Sequence, residues 1–188
     1  VGQDQQFSSY HFDDYFAAKA GLFERILPED GVAVVNIDDQ RGAEVVIIAE
    51  SRGQDIITVG RAPDAILRLI NQRYDATGQA LRFSFCGTIY QTRLALIGGF
   101  QAENVLLAAA LVIACGADPA RVFDTLPHLK TVRGRMQLAA TRENGAAVFV
   151  DYAHTPDAVA TALRAMRPHV MGRLIAIVGA GGDRDATK

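Results

Sequence analysis

Two apolar runs in the later part of the chain stop at residues able to do chemistry. Ala147–Val150 ends at Asp151, with His154 just beyond, and Leu174–Val178 ends at Gly179–Gly182, followed by Asp183 and Arg184. A carboxylate, an imidazole and a glycine-rich loop at strand ends suit a small ligand, because α/β sheets bind ligands outside the carboxyl ends of their strands. The run GAGGD alone is weak. It is neither GxGxxG nor GxxxxGK[ST], and a tight turn explains it as well as a phosphate cradle. Lys19 is a further candidate, lying on a helical stripe with Phe12, Phe16, Phe23 and Ile26. Either its alkyl stem covers that stripe while the ammonium reaches water, or burial lowers its pKa and leaves a reactive neutral amine. His11, His128, His154 and His169 are too scattered to argue a metal cluster, and CxxC, HExxH and serine-elbow patterns are absent.

These residues need elements to position them. Thr155 can cap a helix with Pro156 in its first turn and Asp157 at the positive end of the dipole. Ala158, Val159, Ala162, Leu163 and Met166 give that helix one apolar face, and Pro168 ends it. With the two flanking apolar runs it predicts a βαβ unit. Earlier, residues 1–11 lack a period and predict loop, and Phe12–Leu27 predicts a helix. Val32–Ile37 and Ile56–Val59 predict strands on either side of a helix over Gln40–Glu50. Asp38 and Asp39 can cap that helix or face a ligand, capping being favoured. Ile66–Ile70, Leu81–Phe85 and Ile89–Leu96 predict an antiparallel meander at the sheet edge, turning near Thr77-Gly78 and Cys86-Gly87. Ala102–Ala114 predicts a strong helix with Asn104 near its first turn. Asp118-Pro119 starts another helix, running to about Leu126. Gly134, between Arg133 and Arg135, is a plausible hinge, and a domain boundary is expected within Gly134–Asn144.

Composition narrows the classes. Hydrophobic residues make up 49% of the 188, which supports a core and excludes general disorder. A net charge of −2 gives no support to nucleic-acid or anionic-membrane partners. No segment approaches the roughly 18 continuous apolar residues of a membrane span, and no signal peptide opens the chain. Cys86 and Cys115 stand apart in apolar surroundings, which predicts buried cytosolic thiols rather than a disulfide or ligand pair. The lack of an initiator Met and an end within a loop suggest a piece of a longer protein.

The sequence resembles the Mur ligases of peptidoglycan synthesis. The likeness is carried by VDYAHTPDAV at 150–159 and GAGGDRDATK at 179–188. YFAAKAGLF at 15–23, VVNIDD at 34–39, GGFQAENVLLAAALV at 98–112 and RGRM at 133–136 support it. The resemblance implies an α/β fold. Residues 1–134 would be the later part of the central ATP-binding domain, and 135–188 the first βαβ unit of a Rossmann-like C-terminal domain. It implies ATP and Mg2+ as cofactors and a UDP-muramoyl dipeptide and an amino acid as substrates. The reaction would be ligation of meso-diaminopimelate through an acyl phosphate, with this piece alone inactive. A lysine-adding relative and a non-catalytic Mur-like nucleotide-binding protein are the alternatives. The resemblance makes Lys19 a carbamylated magnesium ligand and places His154 beside the ATP site. It puts Asn104 near the adenine, Arg135 at the nucleotide and Asp151 at the ribose; because Asp151 ends a strand at the expected ligand edge, its side chain is expected to serve the site rather than the core. Asp183 and Arg184 belong to a loop near the site. Gln5 stands where the family has a histidine ligand for magnesium, and Arg133 where proline is common. A cytoplasmic, monomeric full-length enzyme is implied, with neither nucleic-acid nor membrane partners.

Overall fold

The computed structural model describes residues 4–179, with side chains from Asp13 onward. Helix α1 (Asp4–Gly21) runs into a π-turn at Leu22–Ile26, and β1 (Val32–Asn36), α2 (Gly42–Ser51) and β2 (Asp55–Gly60) follow. Three longer strands come next: β3 (Leu67–Asp75), β4 (Gly78–Phe85) and β5 (Thr88–Leu94). They form one mixed sheet in chain order, parallel across β1-β2-β3 and antiparallel across β3-β4-β5. The expected edge meander is therefore present. The strand alternation decides the layers. Ala33 and Val35 of β1 face α2 and the end of α1, while Val34 joins a larger core on the other side. That core is Leu67, Leu69, Leu81, Phe83 and Leu94 of the sheet against α3 (Phe100–Ala114) and α4 (Pro119–Thr125). Ala102, Val105, Leu106, Ala109 and Ala110 form the buried stripe of α3, the spacing a helix of 3.6 residues per turn requires. Asp118 caps α4 by accepting from the Arg121 amide at 3.0 Å. β3 runs past Ile70 because a bulge between Leu69 and Asn71 breaks the alternation and leaves Ile70 at the surface.

The first helix departs from expectation. It begins at Asp4, so Gln5 lies in a helix rather than a loop; the Gln5 side chain lies outside the described residues. The π-turn adds a residue to the last turn, which rotates Ile26 into solvent (73% exposed) and brings Leu27 inward. The inward line is thus Phe16, Ala20, Phe23 and Leu27, and Lys19 lies beside it, exposed. Gln54 secures the turn by donating to the Phe23 and Leu27 carbonyls at 3.0 and 2.9 Å. Arg41 ties α1 to α2, stacking on Phe16 and pairing with Asp13 and Glu44. The acids after β1 act on loops. Asp39 accepts from the Arg41 amide but lies two residues before α2's cap position, Arg41, and Asp38 accepts from the Arg61 and Ala62 amides.

The later part of the chain has β6 (Gln137–Thr141) paired antiparallel with β7 (Ala147–Val150), then α5 (Pro156–Met166). Thr155 caps α5 through the Ala158 amide. The expected second strand is not formed: Leu174–Val178 has no ladder among the described residues, with Ile175 and Ile177 74% and 98% exposed. A ladder needs a neighbouring segment to take the N–H and C=O groups, and the described residues, which end at Gly179, supply none to this one. Asp183, Arg184 and most of the Gly179–Asp183 loop lie outside the described residues. Both cysteines are exposed, against expectation. Cys86 sits in the β4–β5 turn with φ 46° and Cys115 caps the end of α3, positions that face water despite apolar sequence neighbours. No described helix is long and apolar enough to cross a membrane.

At the β3–β4 turn, Asp75 accepts from the Thr77 hydroxyl and amide and from Arg93 at 2.7–2.8 Å. The Thr77 bonds first, and then Arg93, hold its carboxyl down to about 2. A lowered native pKa stabilises the fold above the unfolded value of roughly 4, and that contribution is lost as pH falls toward 2. Asp75→Asn is therefore expected to flatten the acid limb of stability between those limits, measured by urea unfolding. Identical acid limbs in the two proteins would remove this role.

Candidate functional site

A cleft of about 330 Å³ opens between the start of α3 and the N-terminal half of α5. Phe100 forms one wall. Arg135, Asp151, Ala153, Asp157 and Thr161 supply the other. The structure thus brings Arg135 and Asp151 together, although sixteen positions separate them in the chain. The cause is a clamp. Asp151 Oδ2 accepts from the Met136 amide and Oδ1 from the Ala153 amide, both at 2.9 Å. Met136 is buried with φ 49°, a left-handed backbone that a non-glycine residue adopts only under constraint. The clamp supplies the constraint and turns the chain so that Arg135 stands at the cleft. The expectation that the Asp151 side chain has no part in the architecture is corrected: it lines the cleft and also bonds two backbone amides that shape it.

Arg135 has no ion-pair partner among the described residues, and its guanidinium lies 5.3 Å from the centre of the Tyr152 ring. His154 packs edge-on against the other part of that ring, centroids 5.1 Å apart, and its Nδ1 meets the Tyr152 carbonyl. A cation, a flat ring and an imidazole thus lie in sequence, all exposed, with Arg135 lining the cleft. Asn104 is exposed one turn beyond Phe100 on α3 and is not part of the lining. Lys19 is also not part of the lining. Its ammonium lies 5.4 Å from the Tyr15 ring centre, and the described chain does not supply the desolvation expected for it. No trio of His, Cys, Asp or Glu that could hold a metal ion occurs among the described residues. The cleft does fit a nucleotide moiety in size and in its unpaired cation.

Several residues that build the site escape a reading of spacing. Gln79 is fully buried, donating to the Leu96 and Gly98 carbonyls at 3.0 and 3.1 Å and accepting from Gln72. Gln72 also donates to Gly99 O and accepts from Arg61. This chain of side chains fixes the Leu96–Gly99 loop from which α3 starts, and hence the position of Phe100. A polar residue on the inward face of β4 was the only signal. Tyr152 and Phe100 gave none beyond their place beside candidate residues.

A mixed sheet flanked by helices is joined through a strained turn to a smaller unit, with a cleft at the joint, which is the build of a two-module α/β protein. The family comparison names it. Residues 8–112 match the Mur ligase middle domain and residues 134–188 the Mur ligase glutamate ligase domain, so the chain belongs to the Mur ligase family. It is 44% identical, over its whole length, to a Zymomonas mobilis protein named UDP-N-acetylmuramoyl-L-alanyl-D-glutamate--2,6-diaminopimelate ligase. It spans 40% of the length of that curated relative. A solved structure of a ligase with the same name superposes with a TM-score of 0.73 at 30% identity, over 93% of this chain and 36% of that one. Folylpolyglutamate synthase of Mycobacterium tuberculosis, solved with ADP, gives 0.62 at 25% identity over 79% and 33%.

Proposed function

We propose that the complete protein joins meso-diaminopimelate to UDP-N-acetylmuramoyl-L-alanyl-D-glutamate at the expense of ATP, as a peptidoglycan-precursor ligase. The observation that carries the nucleotide part is the cleft at the joint of the two matched modules, with Arg135 unpaired at its rim and Asp151 in its wall. The choice of amino acid follows the names of the relatives. ATP supplies the phosphoryl group that converts the substrate carboxylate to an acyl phosphate, from which the incoming amine displaces phosphate. Arg135 presents a fixed positive charge to the nucleotide phosphates, a charge-assisted contact stronger than a neutral one. Asp151 keeps that arginine in place and offers its remaining lone pairs to a ribose hydroxyl. His154 and Tyr152 are assigned beside the site through their contacts next to Arg135, and Asn104 is assigned to the base on the family match. Asp183 and Arg184 are assigned to the loop near the site. Lys19 is assigned as the carbamylated residue on the family match of its segment, with Gln5 on the same helix in the place of a metal ligand. The enzyme is cytoplasmic, where both nucleotides are found, and monomeric.

The test is ADP release by the complete protein with the UDP-muramoyl dipeptide and meso-diaminopimelate, with L-lysine as the competing amine. Release that requires both substrates and prefers meso-diaminopimelate is expected. Release indifferent to them, or none, would overturn the proposal. Lys19→Ala is expected to depress turnover severely, with partial rescue by a small carboxylic acid. Full turnover without added acid would remove Lys19 from this role.

A further inference from the structure

His169 is 94% buried at the end of α5, yet none of the roles above uses it. Its Nε2 accepts from the Gly98 amide at 3.1 Å, and its Nδ1 lies 2.7 Å from the Asp75 carbonyl. A carbonyl only accepts, so Nδ1 carries the proton and the ring is the neutral Nδ1–H tautomer. Both partners belong to the mixed sheet and its loop, 71 and 94 positions earlier in the chain. The Tyr74 ring meets the imidazole edge-on at 5.0 Å. Around this contact Ile97 packs with Met136 and Met166, and Phe100, Phe149 and Val170 close over them. The apolar cluster adheres in many orientations, whereas the two directed bonds of His169 select one. The loop it grips is the same one that Gln79 fixes from the sheet side, and Gly98 in it has φ 104°, which a side chain would resist.

We propose that His169 is a positioning residue that latches the smaller unit onto the Gly98 loop and thereby sets the separation of Phe100 from α5 across the cleft. The effect on nucleotide affinity rests on the function proposed above; the latch itself does not. His169→Phe keeps the packing against Tyr74 but leaves the Gly98 amide and the Asp75 carbonyl unpaired. His169→Gln places a carboxamide oxygen near the Nε2 position and keeps the Gly98 bond, whereas His169→Asn keeps only a donor toward Asp75.

The experiment measures hydrogen exchange at the Gly98 amide and the ADP dissociation constant in the complete protein. His169→Phe is expected to speed Gly98 exchange and to weaken ADP binding roughly tenfold. His169→Gln is expected to stay near wild type in both, and His169→Asn to lose Gly98 protection. Phe123→Leu, in the distant core, lowers the unfolding temperature without changing either reading. Unchanged exchange in His169→Phe would overturn the latch, as would equal ADP losses in Phe123→Leu and His169→Phe. If His169→Phe does not fold, equal Gly98 protection in the Gln and Asn variants overturns it. If wild type binds no ADP, the nucleotide reading fails, and Gly98 exchange alone decides the latch.

Discussion

Gln79→Glu is expected to destabilise the fold by about 3–5 kcal/mol at neutral pH, more than the larger chemical change Gln79→Leu. The carboxamide nitrogen of Gln79 donates to two carbonyls, those of Leu96 and Gly98, in a site closed to water. A carboxylate there has no donor to offer and turns negative charge toward both carbonyl oxygens, with Gln72 its only bonding partner. Leucine leaves the same carbonyls unpaired but brings no charge, for a cost of about 1–3 kcal/mol. The two variants also separate by pH. Burial and carbonyl repulsion raise the native pKa of the introduced carboxyl above its unfolded value of roughly 4.3. Its penalty is therefore full above the native pKa and shrinks as pH falls toward 4. Urea unfolding at pH 7 and pH 5 reads both effects. A Glu variant as stable as the Leu variant at pH 7 would mean that the site is wetter than its burial indicates.

What the sequence disclosed and what it hid follow from the range of the interactions. The caps at Asp118 and Thr155 each bond an amide three residues ahead, so a short window contains cause and effect. The face of α3 is legible for the same reason. Leu174–Val178 has strand composition, but a strand is a relation between segments, and no neighbour pairs with it among the described residues. The π-turn at Leu22–Ile26 is secured by Gln54, some 27 positions away, and it moves Ile26 off the predicted stripe. His169 and Gln79 read as an ordinary polar residue each until the loop they share is seen. In the cleft, Asp151 was legible as a polar residue at a strand end. Its bond to Met136 was not, because only the fold sets a left-handed methionine opposite that carboxylate.

Asp151→Ala is expected to damage stability and nucleotide binding together. Both carboxylate oxygens accept backbone amides, and bonds to a charged acceptor are worth about 1.5–3 kcal/mol. Once the Met136 amide is released, that residue is free to leave its φ of 49° and to withdraw from the cluster with Ile97 and Met166. Arg135 precedes it and moves with it, so the loss of affinity is roughly 10-fold or more even where the carboxylate itself makes no ligand contact. Asp151→Asn does not repair the joint, since its amide nitrogen faces one of the two N–H donors. Arg135→Ala provides the contrast. An exposed arginine with no ion pair among the described residues should cost little stability when removed, while nucleotide binding weakens. Thermal unfolding and ADP titration of the three variants separate the possibilities. Asp151→Ala with an unchanged unfolding temperature and weakened binding would make the carboxylate a ligand contact alone, and the clamp on Met136 would be wrong. An affinity for ADP that is the same in Arg135→Ala and wild type would remove the arginine, and the cleft it stands over, from the nucleotide site.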